Sequence, residues 1–335
     1  MDRTLPPLLR GTSGRLSRRT LLAGTAAITA LPARAQGAKF PARPVKLVLP
    51  QPPGGAADRL ARLLGERLES RWKQPVVLEN RPGGGVVVGT QAVARSAPDG
   101  HTIGLLGSSL SINAVQRKDL PYDLKDLQPL VRIGYYTIAL VATASFAAND
   151  IAGLVALAKK QPPNALSFGS NGVGTAAHVS GELLNHMAGI TVQHVPYNGA
   201  ARLYTDIIGG MIPMGYSVVS SAESFIKAGQ MKVLGVTSAQ RSPLYAQWPT
   251  IAETLPGFEV VNWAGLCAPA GLPREVARQL EDDLMAVLKA DDMPRQLAAA
   301  GIEWAPQGSA EFGTFIHSEV ARFGQVLKPL AGPQN

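Results

Sequence analysis

The stretch from 165 to 189, ALSFGSNGVGTAAHVSGELLNHMAG, does most to limit what this chain folds into. Leu166-Ser167-Phe168 alternates as a strand does, and the run from Gly169 to Gly174 holds no regular structure. Thr175 is placed to cap a helix, and Ala176, Val179, Leu183, Leu184 and Met187 form one apolar stripe. Gly189 supplies a left-handed stop. Strand, glycine turn and helix in that order leave unpaired backbone N–H groups and a partial positive charge at a strand end, which is a place for an anion. Gly172-Val173-Gly174 lacks the third glycine of a dinucleotide fingerprint, so the spacing speaks for an anion loop more than for a nucleotide loop.

The same grammar recurs upstream. Val45 to Pro50 is a nearly continuous apolar strand of the kind found in buried parallel sheets. Gln51-Pro52-Pro53-Gly54-Gly55 follows, then a helix with Leu60, Leu63, Leu64, Leu68 and Trp72 on one face and Asp58 near its start. Pro75 to Glu79 is the next strand, Arg81 to Gly85 a third glycine turn, and Thr102 to Leu106 a strand ended by Gly107-Ser108-Ser109. Downstream, Asp150 is set to cap a helix, Thr191 to Val195 reads as a strand, and Ile212 to Val219 and Met231 to Val236 read as two more. This βαβ rhythm predicts parallel sheets covered by helices on both faces, with ligands beyond the carboxyl ends of the strands. Pro273 opens one further helix and Ser309 is set to cap the last; neither carries a glycine loop, and both read as packing elements that return to the first domain.

Residues 1–35 read as an address. A basic region with Arg18-Arg19, an apolar run from Thr20 to Leu31 and Ala33-Arg34-Ala35 describe a cleaved export signal, of twin-arginine type or an ordinary secretory one. The apolar run is too short to span a membrane, since a spanning helix needs ~20 residues. This segment holds six arginines and one aspartate, so only about +3 of the formal +8 belongs to the mature part. That balance, with no basic stripe interleaved with aromatics, argues against nucleic acid. About 300 mature residues suit two domains of ~150 each. Cys267, the single cysteine, sits in an apolar run and reads as buried filler.

The polar groups at these turns are Ser108, Ser109, Ser170, Asn171, Thr175, Tyr197, Asn198 and Ser217. Together they suit a carboxylate or another small polar anion; the plain alternative is that Gly and Ser serve only turn geometry. Catalysis finds little support. There is no G-x-S-x-G elbow and no H-E-x-x-H, and His178 with Glu182 is a spacing common on solvated helix faces. His194, in an apolar strand, reads as a hydrogen-bonded structural residue. No catalytic residue, metal ligand or cofactor is assigned.

An ordered set of short motifs then carries a resemblance. It includes Pro52-Pro53-Gly54-Gly55-Ala56-Ala57-Asp58, Glu79-Asn80-Arg81-Pro82-Gly83, Pro98-Asp99-Gly100 and Leu120-Pro121-Tyr122-Asp123. Gly172-Val173-Gly174-Thr175 with His178, then His194-Val195-Pro196-Tyr197-Asn198-Gly199, Thr205 to Gly210, Pro249 to Glu253 and Trp263-Ala264-Gly265-Leu266 complete it. Over about residues 40–329 the chain resembles the receptor family of tripartite tricarboxylate transporters, the Bug-type extracytoplasmic solute-binding proteins.

The resemblance implies an α/β, periplasmic-binding-protein-like fold of type II, with two doubly wound domains and a ligand cleft between them. The boundaries expected are 39–137 plus 264–335 for domain 1 and 138–263 for domain 2. It implies a periplasmic monomer, not an enzyme, that closes on a small organic acid and hands it to membrane subunits of a transporter. Carried over by position, the ligand-binding residues are Gln51, Pro53, Gly54, Gly55, Ser108, Ser109, Ser170, Asn171, Gly172, Gly174, Thr175, His178, Tyr197, Asn198 and Ser217, with His178 in reach of a bracing role. Three departures stand out. Gln51 replaces a frequent aromatic, valines follow Gly83-Gly84-Gly85 in place of a glycine–asparagine pattern, and Met214 to Ser217 lacks an acidic residue. A ligand-sensing subunit for a membrane signalling partner and an exported enzyme on the same fold stay open as alternatives.

Overall fold

The computed structural model describes residues 40–328; the export signal expected over 1–35 lies outside them. The chain opens with β1 (Val45–Leu49), α1 (Ala56–Trp72), β2 (Val76–Asn80), α2 (Val87–Ala94), β3 (Thr102–Gly107) and α3 (Ser109–Gln116). It continues through β4 (Leu127–Tyr136), β5 (Ile138–Thr143), α4 (Ile151–Lys159), β6 (Ser167–Ser170), α5 (Ala176–Ala188) and β7 (Gln193–Pro196). Then come α6 (Ala200–Ile208), β8 (Met214–Val218), α7 (Val219–Lys227), β9 (Met231–Val236) and β10 (Asn262–Pro269). The last elements are α8 (Arg274–Leu288), α9 (Met293–Ala299), β11 (Ile302–Gln307) and α10 (Ser309–Leu327).

The strands form two sheets, in the orders β11-β4-β10-β3-β1-β2 and β7-β6-β8-β5-β9. Between strands, parallel pairing links β1 with β2 and β3, and β6 with β7 and β8, apart from an isolated bridge of Val236 to Thr250; β5, β10 and β11 pair antiparallel with their neighbours. The uniformly parallel sheets that the rhythm predicts are thus mixed, and the cause is the crossover. Tyr136 pairs with Asn262 in one sheet while Ile138, two residues on, pairs with Val218 in the other. A strand such as β5 or β10 enters its sheet from the crossing, at the end where β3 and β8 finish, and so runs against them. Thr137, at the crossing itself, is buried and bonds Ser242 Oγ (3.1 Å) and Glu303 Oε1 (3.0 Å).

Each sheet is sandwiched between two apolar clusters. The expected caps hold at three helix ends. Asp150 Oδ1 accepts from Gly153 N (2.7 Å), Thr175 Oγ1 from His178 N (3.3 Å), and Gly189 is left-handed at φ +61°. Ser309 differs: Gly308 is the cap residue, and the Ser309 hydroxyl donates to Pro129 O (2.8 Å). The last helix also does more than return to the first sheet. Phe312 and Ile316 of α10 pack beside Trp263 and Cys267, whereas Phe323 and Leu327 sit in the cluster built on α5, β5 and β8. Replacing Phe323 with Ala is expected to cost about 3–5 kcal/mol, read as a lower urea midpoint, because the ring is wholly buried and its cavity cannot refill.

Candidate ligand cleft

A cleft of about 1300 Å³ opens at the carboxyl ends of β1, β3, β6 and β8. Its walls are the turns after β1 (Pro50 to Ala57), before α2 (Pro82 to Val86) and after β6 (Asn171, Gly172, Thr175 to Ala177), with the start of α6 (Asn198 to Leu203). Tyr136, Ile138, Asn262 and Ala264, from the crossover strands, also line it. Six helices among the described residues, α1, α2, α3, α5, α6 and α7, therefore begin on one cavity. The first N–H groups of a helix have no partner inside it, and the macrodipole makes that end positive. Only α5 has a side-chain cap, from Thr175; Gly55, Val86, Ser108 and Gly199 provide none to theirs.

The cleft is nearly free of fixed charge. Among the described residues, Arg202 is the one charged side chain that lines it, and its guanidinium is mostly exposed and paired with Asp206 at 3.0 Å. Asp58, buried in the first turn of α1, bonds Arg62 at 3.0 Å. Burial pushes its carboxyl up, but Arg62 and the Gly54 amide outweigh this and hold it below its usual value, so it stays ionised. An anion here would be met by backbone N–H groups, hydroxyls and amides, which bind strongly once water is excluded.

The expected site residues divide in two. Gln51, Pro53, Gly54, Gly55, Ser109, Asn171, Gly172, Thr175, Asn198 and Ser217 line the cleft. Ser108, Ser170, Gly174, His178 and Tyr197 lie outside its lining and brace the residues that do. The Ser108 hydroxyl donates to Asn262 Oδ1 (2.9 Å). Ser170 Oγ meets His194 Nε2 at 2.7 Å and accepts from Gly172 N at 3.2 Å. Gly174 N donates to His178 Nδ1 (3.4 Å), and the Tyr197 hydroxyl to Asp206 Oδ2 (3.0 Å). The Thr175 hydroxyl, besides capping α5, donates to Gly172 O at 2.7 Å. Ser217 is paired with the Tyr204 hydroxyl.

Tyr136 and Tyr216 are lining residues that the sequence did not single out. Both hydroxyls are buried without a partner among the described residues, and burial raises both phenols. Each stands in an apolar strand, where periodicity marks it as core and nothing marks it as cleft.

The two histidines behind the anion loop lie with ring centroids 4.4 Å apart. Burial lowers His178; burial and then repulsion by His178 lower His194 to about 4. The bond from Gly174 N requires His178 Nδ1 to be unprotonated, so both rings work as neutral braces. At the mouth the two sets of turns touch. A Cβ on Gly85 would lie 1.9 Å from the Val173 carbonyl oxygen, and one on Gly199 would lie 2.8 Å from Pro52 Cγ. Arg59 of α1 donates to Ser220 O of α7 (3.0 Å), a further link between the halves.

The sequence profile of the tripartite tricarboxylate transporter family receptor matches residues 60–331. The chain belongs to this family. A protein encoded in the tcbD–tcbE intergenic region of Pseudomonas sp. (strain P51) is 36% identical to this receptor over 317 residues, 93% of this chain and 94% of its own. The structure of R. palustris Rpa4515 with adipate superposes with a TM-score of 0.83 at 30% identity, over 87% of this chain and 98% of that one. MatC from Rhodopseudomonas palustris, with bound malate, gives 0.79 at 25% identity over 86% and 100%. The fold is that of the periplasmic binding proteins, with two α/β sheets and a cleft. Among the described residues no helix is long and apolar enough to cross a membrane.

Thr175→Val removes both the α5 cap and the bond to Gly172 O; a loss of about 1 kcal/mol is expected in denaturant titration. The histidines add a pH signature. Their native pKa values lie below the ordinary 6.5, so the unfolded chain takes up protons first as pH falls. Stability is expected to be flat above about pH 6.5 and to decline from there toward pH 4. His194→Gln should flatten that slope in unfolding curves taken at pH 7, 6 and 5; an unaltered slope would remove His194 as its source.

Proposed function

We propose that this receptor is a periplasmic solute-binding protein that captures a small organic carboxylate by closing two lobes on it. The observation that carries this reading is the meeting of uncapped helix starts from both sheets, α1, α2 and α3 against α6, across one nearly uncharged cleft. One carboxylate suits that arrangement, because N–H groups aimed from two sides neutralise it without a counter-ion. The adipate and malate held by the two R. palustris relatives support the same ligand class. The ligand-binding set is proposed to be the lining residues named above, with Ser108, Ser170, Gly174, His178 and Tyr197 holding the turns in place.

The lobes are taken as 39–137 with 264–335, and 138–263, hinged at the crossovers at Thr137 and just before β10, whose Asn262 and Trp263 already pair in the first sheet. Ligand contacts to both lobes bias the closed state by differential affinity. The closed form then delivers its cargo, chemically unchanged, to the membrane subunits of a tripartite tricarboxylate-type transporter. Export would be followed by cleavage near Ala35, which the N-terminal mass of the periplasmic protein reads directly.

Thermal unfolding of the dialysed mature protein against a panel of small carboxylates tests the binding reading. A ligand at ~100 times its dissociation constant adds about 2.7 kcal/mol, a shift of several degrees. No shift with any acid would overturn the assignment. Gly85→Ala places a methyl group where the Val173 carbonyl stands and is expected to hold the mouth open. A larger radius of gyration in the presence of ligand, with weaker binding, is the expected result; closure equal to the parent's would take Gly85 out of the mechanism.

A further inference from the structure

Val86 is held at φ +73°, ψ −2°, immediately after Gly84 and Gly85 at φ +59° and +64°. Glycine takes the left-handed region freely, but a β-branched side chain there is a strained outlier. Such strain persists only where the surroundings offset it, and it collects at ligand contacts. Core packing does not provide the offset here. Val87 is buried in the cluster under α10, whereas Val86 is half-buried and, among the described residues, packs against none of the four apolar clusters. Nor does the side chain cap α2. What it does is line the cleft.

The rest of the cavity agrees in character. Leu105, Leu106, Leu110, Ile138, Val218 and Phe225 are lining residues too. Against them stands one cationic side chain, Arg202, already paired with Asp206. A compact acid with several carboxylates would be stripped of water with too few counter-charges, a large cost. An acid with one or two carboxylates on an apolar frame loses little, and gains from each apolar surface it covers.

We propose that Val86 is a specificity-determining residue that forms an apolar wall for the cargo, and that the cargo is an acid with an apolar aliphatic or aromatic body. This rests on the carboxylate-receptor reading above. The test is titration calorimetry of the dialysed mature protein with benzoate, octanoate, adipate, malate and citrate. One of the first three is expected to bind at least tenfold tighter than malate or citrate. Val86→Gly should weaken that acid roughly tenfold, the value of one buried valine side chain. The same variant, free of ligand, should melt about 2 °C higher, because glycine relieves the left-handed strain. Val86→Ala keeps the strain and trims the wall, so its affinity should fall with no such gain in melting temperature. Stability rising while affinity falls is a pair of changes that a merely structural valine would not give. Citrate or malate binding as tightly as the best apolar acid overturns the proposal and leaves the carboxylate reading standing. So does a Val86→Gly variant that binds like the parent. Failure of all five acids overturns both.

Discussion

A helix cannot pair its own first N–H groups, and this constraint organises the molecule around its cleft. In each half, strands end where helices begin, so the first turns of α1, α2, α3, α5, α6 and α7 collect at one rim, and α5 alone among them has a side-chain cap. Where a strong brace exists, it lies one layer back. The Ser170–His194 contact, the Gly174–His178 bond and the Thr175 cap fix the second-lobe turn without using its outward face. Ser108 fixes the start of α3 through Asn262 in the same way. A wall of this kind is stiff, electrically mild and positive in potential. It can recognise an anion while leaving selectivity to whatever surrounds the carboxylate.

Much of this was legible in the sequence because turns advertise themselves. The unit at 165–189, the turn at Gln51 to Gly55 and the caps at Asp150, Thr175 and Gly189 all use residues whose backbone or side-chain chemistry has few other purposes. Four elements were not legible. The α7 segment VSSAESFIK follows β8 with no turn residue between them, so the change of period is hidden. In α3, SLSINAVQ has a weak stripe and a serine-rich start that resembles a loop. The α9 segment is a single short piece, and β11 contains a proline at an edge. Antiparallel pairing also stayed hidden, because it follows from where the chain crosses between sheets and local spacing says nothing of that.

Within the site, residue type was read better than direction. Ser108, Ser170, His178 and Tyr197 are at the turns as expected, yet each points its polar atom into the scaffold. A sequence places a hydroxyl on a loop; which side of the loop it faces depends on partners far along the chain, such as Asn262 for Ser108 across 154 positions. Tyr136 and Tyr216 fail in the opposite sense, as apolar-strand residues that line the cleft while their hydroxyls are buried without a partner among the described residues.

The strand order also decides when the halves can form. The five-stranded sheet draws every strand from one continuous stretch, Ile138 to Val236, and takes from outside it only an isolated bridge between Val236 and Thr250. The six-stranded sheet cannot: β10 lies in its interior between β3 and β4, yet arrives more than a hundred residues after them. Until β10 is delivered, β3 and β4 expose unpaired edges, and such edges invite pairing with other chains. The half that begins the chain is therefore the half that finishes last. A partly folded chain is at its most vulnerable to aggregation through the strands made first.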